Sequence, residues 1–416
     1  MTAPDHLKIT GPEDVLGYIP HSLGYWPSRS LVAMTMQGKR LGATLRVDLP
    51  GDGSPGGFAG FARTVAGYLE ADDHADGVLL AFFTGSDVTV TGGAGAAWAE
   101  LLEELEHALA ESGMPVRDAW LIGAEHWRNA YCTDPACCAP PGRPIDEIRN
   151  SKLNAEMVFR GSTVGPAPGA EAARPFPMPE DTAVLESERN WYRLFTGHTR
   201  DQSQYSQVLD VWAVVLQSPA GRRLPLELAG YLRAALRVPA WRDAVLVMAA
   251  AGPEAAEQGA ADFGMFDSSG PLTPLAPVPL PPLDGFGPLP PVLPRAGVAS
   301  GGSDGAPAVP GYGEVLLGLA PSVPDWQRMA SLERILVQLG EAGGGEAAAA
   351  AFTGRGWIEW CRGKGSFADA LFSRADAQHP GYRLAVLLAE LVSRGTLCGW
   401  AARREAAWQK FEPGAA

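Results

Sequence analysis

The first third of the chain alternates between two hydrophobic periods. "SLVAMTM" (30–36) and "GATLRVDL" (42–49) are rich in apolar and β-branched residues, which predicts two strands. Gln37, Gly38, Lys39 and Arg40 between them have the character of a hairpin turn. In "GGFAGFARTVAGYLEADD" (56–73), Phe58, Phe61, Val65, Tyr68 and Leu69 recur at three- and four-residue spacing and mark one apolar helix face. "GVLLAFF" (77–83) is a continuous apolar run, as expected of a strand covered on both faces. A second helix is predicted over 97–113, stopped by Gly113 and Pro115, and "DAWLIGA" (118–124) reads as another buried strand.

Strand, strand, helix, strand, helix, strand implies at least one right-handed βαβ crossover. The N-terminal part, residues 1–165, is therefore expected to be an α/β domain with a mixed or parallel sheet and flanking helices. Residues 180–251 carry a helical pattern. Residues 252–312 lose both periods, and frequent prolines there remove ladder donors and helix continuity, so a Pro/Gly-rich linker is expected. Its PxxP spacings would suit an SH3-type ligand, but a plain spacer is the simpler expectation.

Residues 313–412 are helical again. Phe352, Gly356, Ala368, Phe372 and Pro380 fall at the offsets of a tetratricopeptide pattern, with small Ala375 also in place. Arg355 and Glu359 stand where that pattern has Leu and Tyr, and one repeat is too short for a solenoid. A close-packed, tetratricopeptide-like hairpin is expected.

Charge narrows the partners. The chain has 47 acidic and 33 basic residues, a net −14, so its mean field repels phosphate. Nucleic acid and anionic membrane are disfavoured, and a protein partner is the expectation. The N-terminus lacks a basic segment followed by an apolar run, and no apolar stretch reaches membrane-spanning length. Five cysteines in 416 residues form no disulfide framework, so a cytoplasmic protein with reduced thiols is expected.

Several segments are shared with a known family: "DVLGYIPHSLGYWPSRSLVAM" (14–34), "RVDLP" (46–50), "CTDPACCAPPGRP" (132–144), "VPAWRDAVL" (238–246), "PDW" (324–326) and "HPGYRLAVLLAEL" (379–391). Together they resemble the uncharacterised actinobacterial family catalogued as domain of unknown function 4192. The resemblance spans most of the chain and implies no activity, cofactor or catalytic residue.

"YCTDPACC" (131–138) is the sharpest chemical signal. A tetrahedral zinc wants four Cys or His ligands, and Cys132, Cys137, Cys138 and His126 add up to four. The adjacent pair Cys137–Cys138 strains such a site, and no second CxxC exists. A redox role for Cys132 and Cys137 lacks a strong local cation to lower a thiol pKa. Packing as small hydrophobes is preferred. Zinc is thus a candidate cofactor but not the favoured one. "TVTGGAGAAW" (89–98) departs from the dinucleotide fingerprint at Trp98 and is a weak phosphate-binding candidate.

Ligands in α/β sheets gather at the carboxyl ends of strands. Asp48, Thr84, Ser86, Glu125 and His126 follow the predicted strands, so they form a candidate ligand edge. The loop "GYIPHSLGYWPSRSL" (17–31), with His21, Tyr25, Trp26 and Arg29, is expected to be a packed connection. No catalytic set stands out. A protein-interaction or regulatory role is preferred, with a metal-assisted or other enzyme, or a small-molecule sensor, at the strand-end edge as alternatives.

Overall fold

The computed structural model describes residues 8–51, 57–86, 93–132, 134, 139–169, 180–267, 272–277 and 309–409. The chain divides into two units, residues 1–167 and 168–415.

In the first unit the elements run α1 (Pro12–Leu23), β1 (Ser30–Gln37), β2 (Arg40–Asp48), α2 (Gly57–Leu69), β3 (Gly77–Phe83), α3 (Gly93–Glu111), β4 (Val116–Ile122), β5 (His126–Asn129), β6 (Arg143–Pro144), α4 (Asp146–Arg149) and α5 (Lys152–Phe159). The six strands form one mixed sheet in the order β2-β1-β3-β4-β5-β6. Only β3 and β4 pair in parallel, joined by the α3 crossover; the other neighbours are antiparallel. The β1–β2 hairpin turns at Gly38, whose φ of +62° suits glycine.

Strand alternation splits the interior into two layers. Leu31, Ala33, Leu80 and Phe82 face α2 and α3, meeting Val65, Leu69, Leu101 and Leu105. Val32, Met34, Leu79, Ala81 and Phe83 face the opposite way, onto Val15, Leu16 and Ile19 of α1 and Ile148 of α4. A sheet covered on both faces explains the uninterrupted apolar run of β3. Strands β5 and β6 follow the last strand that the sequence pattern predicts. They are too short for a period to show, and only the pairing of β5 with β4 and of β6 with β5 makes them strands.

The loop over 17–31 is a packed connection, as expected, although its first half is the end of α1. His21 is fully buried, with Nε2 2.7 Å from Asn154 Oδ1 and Nδ1 3.0 Å from Ser162 Oγ. The Asn154 amide nitrogen donates to Arg149 O, which aims Oδ1 at the imidazole. His21 Nε2–H therefore donates to Asn154, and Nδ1 accepts from the Ser162 hydroxyl.

The second unit is helical: α6 (Thr182–Phe195), α7 (Gln202–Leu216), α8 (Leu226–Leu236), α9 (Pro239–Ala251), α10 (Pro253–Asp262), α11 (Tyr312–Leu316), α12 (Trp326–Glu341), α13 (Glu346–Cys361), α14 (Gly365–Gln378) and α15 (Arg383–Ser393). Two sequence expectations change here. Residues 253–262 are a helix rather than linker: Pro253 sits in its first turn, where the missing N–H costs nothing, and Ala255, Ala256 and Ala260 are buried. Residues 272–277 are also docked, since the Gln204 side chain bonds both the N–H and the C=O of Leu275. Most of the remaining Pro/Gly-rich stretch lies outside the described residues.

The second change is that the helices before and after that stretch share one core. Helices α9 and α13 are buried on nearly every side and need partners from both segments. Arg233 of α8 makes the tie explicit. It is fully buried, pairs with Glu188 at 2.7 Å, and donates to the carbonyls of Leu339 in the last turn of α12 and of Gly343 and Gly344 in the α12–α13 connection.

Candidate functional site

Sheet register decides whether the strand-end residues meet. Ser30 pairs with both Asp48 and Phe83, Phe83 pairs with Ile122, and Ile122 pairs with Trp127. Asp48, Thr84 and His126 therefore line one edge of the sheet, with Ser86 and Glu125 in the turns beyond it. The edge holds the carboxyl ends of β2, β3 and β4 and the start of β5.

The polar groups of this edge mostly serve the fold. Thr84 N–H donates to Ile122 O, and its hydroxyl lies 2.5 Å from Ser86 O and 3.1 Å from Ile122 O, which ties β3 to β4. Asp48 accepts from Arg46 Nη2 at 2.6 Å, and Arg46 Nε donates to Ser30 Oγ. Gly123 N–H closes a tight turn onto His126 O, and Ile145 N–H donates to Glu125 O. The Glu125 side chain is exposed and His126 is half-buried.

The edge also carries arginines outside the expected ligand set. Arg143 stacks over Trp127 at 4.5 Å and pairs with Glu147 at 2.6 Å. Arg29 is exposed and has a φ of +49°, alone in that region among the described non-glycine residues. Gly85 lies under it, and a Cβ there would press on Ser28 Oγ and Arg29 Cγ. Arg46 and Arg143 are each paired with a carboxylate, Asp48 and Glu147, which offsets their charge locally.

The cysteine loop starts elsewhere. β5 runs back along β4, and Ala130 N–H donates to Ala119 O. Four residues of extended chain, roughly 13 Å, thus separate His126 from Ala130. Cys132 lies beyond that end, with its N–H on Asn129 Oδ1 and its carbonyl held by Arg128. β5 therefore sets Cys132 apart from Glu125 and His126. Cys137 and Cys138 lie outside the described residues. Among the described residues, no group of three or more His, Cys, Asp or Glu is placed to hold a metal. Next to Cys132, the Tyr131 hydroxyl donates to Glu106 at 2.7 Å, and burial together with that carboxylate pushes its pKa up.

A cleft of about 290 Å³ lies between α2 and α3, lined by Arg63, Glu70, Glu111 and Ser112. It sits at the C-terminal ends of those helices, hence towards the sheet edge opposite the candidate residues. In the second unit, Cys361 and Cys398 are both fully buried. Among the described residues no helix is long and apolar enough to cross a membrane.

A mixed α/β sheet domain followed by an all-helical unit defines the class of protein. The chain belongs to the family described as Domain of unknown function (DUF4192), whose model matches residues 12–261 and 322–397. The unmatched stretch between them contains most of the Pro/Gly-rich segment. Comparison with curated proteins and with solved structures finds no match.

Proposed function

We propose that the chain is an intracellular protein-interaction or regulatory protein whose helical unit presents an apolar docking surface. One observation carries this. Leu317, Leu319 and Leu397 are 40%, 58% and 39% exposed, on two loops laced together by Gly399 N–H to Leu317 O and Arg403 Nη2 to Gly318 O. Large apolar side chains grouped on paired loops, rather than scattered singly, fit a surface that a partner covers. The net charge of −14 argues against nucleic acid and anionic membrane as that partner. In this proposal the α13–α14 hairpin acts as a tetratricopeptide-like support for the surface.

A photo-reactive residue at position 319 tests the idea. A discrete protein adduct in cells, lost when Leu317→Glu and Leu397→Glu are added, supports it. Absence of any adduct at 319 and 397, with the protein folded and expressed, rejects it.

A second reading rests on the sheet register: Asp48, Thr84, Ser86, Glu125 and His126 share one edge with the exposed Arg29. A small anionic ligand bound there, with or without chemistry, would raise the melting temperature of the protein. The shift should vanish in Arg29→Ala.

A further inference from the structure

Gln204 of α7 is fully buried, and its amide holds both backbone groups of one residue. Oε1 accepts the Leu275 N–H at 2.6 Å, and Nε2 donates to the Leu275 carbonyl at 2.9 Å. The Tyr231 hydroxyl of α8 donates to the same carbonyl at 3.3 Å. Three residues earlier, the Leu272 N–H donates to Asp201 Oδ2 at 3.1 Å. The gripping groups are themselves fixed by the helices. Asp201 caps α7 through Oδ1, which accepts the Gln204 N–H at 2.8 Å. Tyr231 packs edge-on to Trp191 and Phe195, with ring centroids 5.0 Å and 5.2 Å away.

The gripped residues, "LTPLAP" (272–277), are neither helix nor strand. Pro274 and Pro277, with Pro271 before them, favour the extended polyproline II conformation. That conformation has about three residues per turn, so Leu272 and Leu275 present their N–H groups along one edge. Pro274 and Pro277 share another edge and are both buried, while Leu275 packs on the helical core. The sequence repeats the pattern: "PLTPL" (271–275) is followed by "PLPPL" (279–283) and "PLPPV" (288–292). Proline at the middle position leaves both gripped N–H groups in place.

We propose that α7 and α8 form a recognition site for Pro-Leu-x-Pro-Leu or Pro-Leu-x-Pro-Val segments of a partner protein, a site that residues 272–277 fill in this chain. Asp201, Gln204 and Tyr231 lie within the stretch that the family model matches, whereas residues 272–277 lie in the unmatched stretch. The site thus belongs to the shared domain, and its present occupant to the insert. A buried neutral amide, one carboxylate accepting a backbone N–H and an apolar floor suit an uncharged, proline-spaced ligand. Prolines fix such a ligand in advance, so little conformational entropy is lost on binding. The chain's own copy competes at an effective concentration of roughly millimolar, and a partner must displace it. The inference does not rest on the leucine surface.

The test uses the full chain and a fluorescein-labelled peptide PLTPLAP, residues 271–277, read by fluorescence anisotropy. Pro274→Ser, Leu275→Ser and Pro277→Ser together empty the site, and Leu283→Ser and Val292→Ser silence the other copies. The emptied chain should bind the peptide saturably, and wild type should bind it at least about tenfold more weakly. A peptide N-methylated at the position of Leu275 lacks the N–H that Gln204 accepts and should lose about tenfold in affinity. Gln204→Leu in the emptied chain should act in the same way. The scrambled peptide PPPLTLA, which breaks the spacing, should not bind. Should the emptied chain not fold, wild type decides: excess unlabelled peptide should speed hydrogen exchange of the Leu272 and Leu275 amides by displacing them. Unchanged exchange there would overturn the proposal, as would a folded emptied chain without saturable binding, or equal binding of the scrambled or N-methylated peptide. Self-association of wild type that the free peptide reverses in sedimentation would give the site to a second copy and overturn the assignment to a partner.

Discussion

Gly356 of α13 is in contact with the ring of Phe372 of α14, and a Cβ at position 356 would collide with that ring. The hairpin is close-packed because this glycine, with buried Ala368 and Ala375, lets the two helices approach. Gly356→Ala should therefore destabilise the helical unit by about 1–3 kcal/mol, despite alanine's better helix propensity. Ala368→Leu should cost about the same for the same reason. Gly67 in α2 is the control, since a Cβ there meets nothing within 4 Å. Gly67→Ala should stabilise by about 0.4–1 kcal/mol. Denaturant melts of the three variants check this, and equal signs for Gly356→Ala and Gly67→Ala would refute the packing account.

Arg233 and Arg237 both reach Glu188 but in different surroundings. Arg233 is fully buried and also holds three backbone carbonyls, whereas Arg237 is 22% exposed along its side chain. Arg233→Met leaves the buried Glu188 carboxylate only the longer Arg237 contact and takes this donor from three carbonyls, and should cost about 3–5 kcal/mol. Arg237→Met should cost only about 1 kcal/mol. Comparable losses in urea unfolding would show that the buried network is not what joins α8 to the α12–α13 connection.

Asp14 gives the first unit an acid limit. Burial opposes its ionisation, but hydrogen bonds from the Thr10 hydroxyl and N–H and from Leu153 N–H outweigh it, and its pKa is lowered. A depressed carboxylate pKa contributes stability that is fully present above the unfolded value of about 3.9. That contribution is lost as pH falls through the folded value. The first unit should lose stability below about pH 4, and Asp14→Asn should flatten this limb while lowering stability at pH 7. An unchanged acid limb in the variant would assign the loss to other carboxylates.

Zinc is expected well below one equivalent per chain in protein prepared without chelator or affinity metal. His126 and Cys132 lie at opposite ends of β5, so a four-ligand site built from both is not preformed. Cys132→Ser should then leave metal content and melting temperature nearly unchanged. A ratio near one that Cys132→Ser abolishes would reverse this conclusion.

Periodicity in the sequence was enough to place β1 to β4, α2 and α3, because each buries a face that repeats locally, and β3 betrays its two covered faces by an unbroken apolar run. The strand-end edge followed from the same pattern, since residues after successive strands of an α/β unit share an edge once β3 and β4 run parallel. Other features had no local signature. β5 and β6 exist only through their partners, and β5 separates His126 from Cys132. The fusion of the two helical segments depends on α9 and α13 burying all sides at once, which a helix-by-helix pattern does not assign to particular neighbours. His21 and Ser162 are buried polar groups distant along the chain. Each must find a hydrogen-bond partner inside the core, and only the tertiary packing decides which one it meets.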